Sequence, residues 1–216
     1  MTTSIDLKQL EKRAFRSTYQ DGLWDIYYGL IVMFMAIFMD RPEDGYSWVN
    51  IVLMAAGFLL AYLLFRGGKK LITLPRLGQV TFGPVRKARK RTMTIILLIF
   101  IAFQVLLLVF TFLGWLVPQV GKLIDRLLPG SNDLLAVSLI GAMIVCVGMT
   151  ISAHYSDFLR GYYIALLMAV AVFLILFLDR PIFPLLIGAV IVIPGIVLLV
   201  RFIRQHPLPT VEDNHD

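Results

Sequence analysis

Long apolar runs separated by short polar stretches set the pattern of this chain. Within the runs, apolar residues neither recur every 3.6 positions nor alternate. They occupy every face, which is the pattern of helices bathed in lipid. A bilayer span needs about 20 such residues, with about 17–25 tolerated. Six segments qualify, at 23–39, 48–65, 93–117, 134–153, 161–178 and 182–203. The pattern therefore predicts an all-α integral membrane protein with six transmembrane helices.

The polar stretches give the organisation around those spans. Residues 1–22 form an arm, 23–65 hold helices one and two, and 66–92 form a basic loop. Helices three and four occupy 93–153 with an outer loop at 118–133; helices five and six occupy 154–203, and 204–216 form a tail. In the arm, Leu7, Leu10 and Ala14 share one helical face, and Asp6 with Gln9 fits a capping box. This predicts an amphipathic helix lying in the interface. Leu123, Ile124, Leu127 and Leu128 predict a second one in the outer loop. No apolar h-region opens the chain, so the first span is read as a retained anchor.

Charge sets the orientation. If the N-terminus is cytoplasmic, the inner side carries sixteen Lys and Arg and the outer side four, namely Arg41, Lys122, Arg126 and Arg180. That bias places both termini in the cytoplasm. The expected home is the cytoplasmic membrane of a bacterium or archaeon. Composition agrees, with 59% hydrophobic and 16% charged residues, where soluble domains carry about 25% charge. The net charge of +6 is accounted for by topology, so nucleic acid is not an expected partner. The single cysteine, Cys146, lies within an apolar run and cannot form an internal disulfide. No cofactor or metal spacing is present, and none is expected.

Two apolar runs end alike, in "FMDRPEDG" (38–45) and "FLDRPIF" (177–183). Upstream, Tyr19, Asp21 and Leu23 match Tyr155, Asp157 and Leu159; downstream, Gly57 and Arg66 fall opposite Gly195 and Arg204. These matches predict a parallel two-helix repeat, spans 1–2 and 5–6, around spans 3–4. Two outer charge pairs follow from it, Asp40 with Arg180 and Asp179 with Arg41. The plainer reading of each triplet is a proline stop beside a headgroup-level charge pair, contributing about 0–1 kcal/mol.

The loop 66–92 holds nine basic residues and no acid. Gly67 and Gly68 are expected to end span two, "LITLPRLGQVTF" (71–82) to form a small hairpin, and Pro84 to start the helix of span three. Arg86, Lys87, Arg89, Lys90 and Arg91 are the candidate docking residues, for anionic inner-leaflet lipids or for an acidic protein partner. Topology signalling alone would also account for them.

Ionisable residues inside spans are the usual pointers to function, and the six apolar centres contain none. The candidates gather instead at the cytoplasmic edge. They are Asp21 and Asp25 at the start of span one, and His154, Asp157 and Arg160 at the entrance to span five. The bland alternative for the aspartates is a helix N-terminus, which favours acids by about 0.3–1 kcal/mol. Pro194 and Gly195 predict a kink in span six. Ser138, Gly141, Gly148 and Ser152 make a seam of small residues in span four that suits close helix packing.

The enzyme motifs Gly-x-Ser-x-Gly and His-Glu-x-x-His are absent, as is a Walker sequence. The sequence therefore favours a non-catalytic subunit or scaffold of a membrane complex, with a protein partner or homo-oligomer. The alternative is a small-solute transporter, a channel or the substrate-binding subunit of a transporter. A membrane-embedded enzyme comes third.

Overall fold

The computed structural model describes residues 19–39, 48–78, 84–117, 122 and 134–207. Every regular element among them is helical: α1 (Leu23–Met39), α2 (Trp48–Gly68), a π-helical segment (Lys69–Thr73), α3 (Leu74–Leu77), α4 (Pro84–Leu116), α5 (Leu134–Tyr155), α6 (Leu159–Leu178) and α7 (Ile182–Gln205). Five stretches are long and apolar enough to cross a membrane, and α1, with 17 residues, is the shorter sixth. Large apolar side chains stand out on their surfaces, such as Leu63 at 55%, Ile99 at 64% and Met143 at 64% exposure. Soluble monomers rarely expose apolar patches beyond a few hundred Å², so lipid is the solvent these helices are built for.

The chain clusters into two compact units, Met1–Phe82 with Arg180–Asp216, and Gly83–Asp179. In the first, α1 packs against both α7 and α2. The α1–α7 contact rests on glycines seven residues apart on each strand of chain, Gly22 and Gly29 facing Gly195 and Gly188. A methyl group on Gly22 would collide with the carbonyl oxygen of Gly195, and one on Gly29 would stand 2.8 Å from that of Gly188. Seven residues are two helical turns, so Gly188 and Gly195 stack on one face of α7 and let the backbones of Gly29 and of Gly22, just ahead of α1, approach it. Pro194 lies inside α7, whose helix runs on through it to Gln205.

In the second unit α5 packs along α6, and α4 against α5. The expected seam in span four divides between these neighbours. A methyl on Gly141 would meet Leu176 of α6, whereas one on Gly148 would meet Phe100 of α4. Ser138 is buried and donates its hydroxyl to the Leu134 carbonyl at 2.6 Å, within its own helix.

Two expectations for the basic loop are corrected. The chain does not stop at Gly67 and Gly68; α2 includes both and continues as the π-helical Lys69–Thr73. No hairpin forms over 71–78, because the residues read as a strand, Leu71, Ile72 and Thr73, are wound into that π segment. Pro75 then sits in the first turn of α3, where its missing N–H is tolerated, and Gly78 ends the turn at φ +73°. Residues 79–83 lie outside the described set. Pro84 opens α4, which runs without a break into span three, as its sequence implies.

The second Asp-Arg-Pro triplet is a helix junction. Asp179 takes a left-handed conformation (φ +48°) that ends α6, its N–H bonding the Ile175 carbonyl at 3.2 Å, and Pro181 stands at the N-cap of α7. Aspartate tolerates that conformation better than most side chains. Asp40 and Arg41 of the first triplet lie outside the described residues, as do the predicted outer amphipathic helix and most of the N-terminal arm.

Candidate functional site

The polar candidates resolve into two junctions, one in each unit. In the first, Asp21 precedes α1 by two residues and has no exposed surface. Its Oδ1 accepts the Leu23 N–H at 3.2 Å, satisfying one of the unbonded amides that open a helix. Its Oδ2 accepts from Lys69 Nζ and from Thr73 Oγ1, both at 2.6 Å. The donors lie in the π-helical segment, four residues apart, so one turn presents both to the same oxygen. Lys69 is one-fifth exposed. A carboxylate with no water contact is thus held by an ammonium, a hydroxyl and a backbone amide, which a buried charge requires. π-Helical turns occur often at functional sites.

An aromatic group surrounds this junction. Trp24 stacks on Tyr19 and Tyr28 and lies 4.4 Å, centroid to centroid, from Phe65, which Tyr27 also touches. Lys69 stands 5.8 Å over the Phe65 ring. Asp25, 3% exposed, turns instead toward α7, where a methyl on Gly195 would lie 2.9 Å from its Cβ. The two aspartates therefore do different work: Asp21 joins α1 to the end of α2, and Asp25 packs into the α1–α7 contact.

The second junction ends α5. Phe158 N–H bonds the Ala153 carbonyl at 3.0 Å and Asp157 N–H that of His154 at 3.3 Å, with Asp157 left-handed at φ +50°. That is a Schellman cap with aspartate in the place glycine usually takes. Arg89, from the start of α4, donates Nη1 to Asp157 Oδ2 at 2.9 Å and Nη2 to the His154 carbonyl at 2.7 Å. One guanidinium therefore both pairs the acid and satisfies the end of a helix that favours a cation. His154 Nδ1 lies 3.2 Å from the Tyr162 hydroxyl, and Arg160 stands 5.6 Å over the Phe158 ring.

Of the predicted edge residues, Asp21 and Asp25 lie in one unit and His154, Asp157 and Arg160 in the other. Each contains an acid placed two residues ahead of a helix, Leu23 or Leu159, and each acid takes a cation from the basic loop. Sequence reading found the acids and missed Lys69 and Thr73. Of the predicted docking residues, Arg89 is engaged with Asp157, while Lys90 and Arg91 are exposed. The side chains of Arg86 and Lys87 lie outside the described residues. Asp179 and Arg180 are exposed. Among the described residues no group of three metal-ligating side chains converges.

These features define a class, an all-helical membrane protein with its buried charge gathered at helix ends. Comparison with protein-family models, curated proteins and solved structures returned no match that would narrow it further.

Proposed function

We propose that this chain is a non-catalytic subunit or scaffold of a complex in the cytoplasmic membrane, with both termini in the cytoplasm, docking a protein partner through its basic loop. The observation that carries this reading is how the loop's cations divide. Lys69 and Arg89 turn inward and hold the two aspartates that precede α1 and α6. Lys90 and Arg91, next to Arg89 on α4, are exposed. Charges engaged at internal junctions fasten helix ends within each unit, and charges left exposed can meet an acidic surface.

The test is native mass spectrometry of the tagged full chain, extracted gently from its own membrane. A stoichiometric protein partner is expected, and Lys90→Glu with Arg91→Glu should release it while leaving helicity and melting temperature unchanged. A chain that arrives alone or only with copies of itself would sink the proposal. The transporter reading draws on an apolar cavity beside the first junction, lined by Leu23, Ile26 and Leu71 among others; finding an ATP-hydrolysing partner would move the assignment there.

A further inference from the structure

A cavity of about 500 Å³ opens in the first unit between α1, the end of α2 and the π-helical segment, with Leu199 of α7 on its wall. Ile26 and Leu30 line it from α1, Ala61 and Leu64 from α2, and Leu71 from the segment. That volume is in the range of sites that hold small ligands, roughly 300–1,000 Å³. The lining is apolar, but the stretch of chain that supplies it is not. Phe65, Gly67, Gly68, Leu71 and Ile72 face the cavity, and Arg66, Lys69 and Lys70 are interleaved with them. Lys69 is drawn inward onto Asp21. Arg66 and Lys70, four residues apart, remain exposed beside the lining positions Gly67 and Leu71. The nearby acids do not cancel them: Asp21 is enclosed by its three donors and Asp25 faces α7.

We propose that this cavity binds one anionic glycerophospholipid, with an acyl chain between α1 and α2 and its phosphate on Arg66 and Lys70. A chain entering from the bilayer leaves one apolar medium for another, so the apolar wall alone selects nothing. Selection must come from the headgroup, and two exposed cations one turn apart suit a phosphate that no compensating ammonium shields. The aromatic group beside Phe65 and the Asp21–Lys69 link hold the wall in place. This site stands apart from the outward-facing Lys90 and Arg91, and its failure would leave the docking proposal untouched.

Delipidated full-length protein would be titrated with phosphatidylglycerol and, separately, with phosphatidylcholine of the same chains, counting bound lipids by native mass spectrometry. One tightly held phosphatidylglycerol is expected, with a preference of roughly 30-fold over phosphatidylcholine, about fivefold from each cation. Arg66→Gln with Lys70→Gln should abolish the preference. Gly67→Leu supplies the second arm. No atom lies within 4 Å of where a Cβ would stand on Gly67, so leucine should fill the cavity without strain and exclude either lipid from this site. Equal binding of the two lipids by the natural chain would overturn the proposal. So would a preference that survives loss of both cations, or a tightly held lipid that survives Gly67→Leu in a protein of unchanged melting temperature.

Discussion

Replacing Asp21 by alanine removes a carboxylate that no water touches. Three donors lose their acceptor together: the Leu23 amide at 3.2 Å, and Lys69 Nζ and Thr73 Oγ1 at 2.6 Å each. Removing one member of a buried ion pair costs about 3–5 kcal/mol, because the other charge is left buried and unpaired. Lys69 is one-fifth exposed and can partly reach water, so a loss near the lower end, about 3 kcal/mol, is expected. Adding Lys69→Met removes the stranded charge. The double variant then lacks only acceptors for Thr73 and Leu23 and should cost about 1–3 kcal/mol.

Trp24 gives the readout, since it stacks within the aromatic group next to this junction. With Trp48 and Trp115 changed to phenylalanine, its fluorescence would follow reversible unfolding by dodecyl sulfate in mixed micelles. The reasoning is refuted if Asp21→Ala costs under about 1 kcal/mol, the range of an exposed pair. It is refuted equally if the double variant is less stable than Asp21→Ala alone.

In the α1–α7 contact, Gly188→Ala would push a methyl against Met33 and to 2.8 Å from the Gly29 carbonyl; a loss of about 1–3 kcal/mol is expected in the same unfolding assay. Gly67→Ala, which meets nothing within 4 Å, is the control and should be neutral or slightly stabilising, since alanine favours helix over glycine by about 1 kcal/mol. At the second junction, Asp157→Asn and Arg89→Gln should lose similar, modest stability, about 1–2 kcal/mol for a partly exposed charged contact. Asp157→Val should cost clearly more than Asp157→Asn, because a β-branched residue is strained at the φ of +50° held there.

The α1 helix was legible from its apolar run, from Leu23 to Met39, because lipid imposes a length that a core does not. Pro84 likewise marked the start of α4. The loop between was misread for a physical reason. Ile72 and Thr73 have strand propensity, but a helix already under way extends at little cost, and Asp21 offers Lys69 and Thr73 a partner that only a helical turn can supply together. That partner is 48 residues away along the chain, and the acid that Arg89 meets is 68 away. No local pattern encodes such distances. The glycines at 22, 29, 188 and 195 could have been found, since equal spacings of seven, one starting just ahead of span one and one within span six, are a packing signal visible without coordinates.

The same pairings change what the charge count means. Nine cations in an acid-free loop read as topology signalling, lipid contact or a docking surface. In the fold they have separate tasks, because two of the acids that balance them stand just ahead of helices in other parts of the sequence. Lys69 and Arg89 meet those acids, where a cation satisfies a buried or half-buried carboxylate and, at the end of α5, a helix terminus as well. Fastening two helix starts therefore takes cations beyond any that set a topology. Among the described residues of the loop, Arg66, Lys70, Lys90 and Arg91 remain exposed, and the proposed headgroup and partner would be read there.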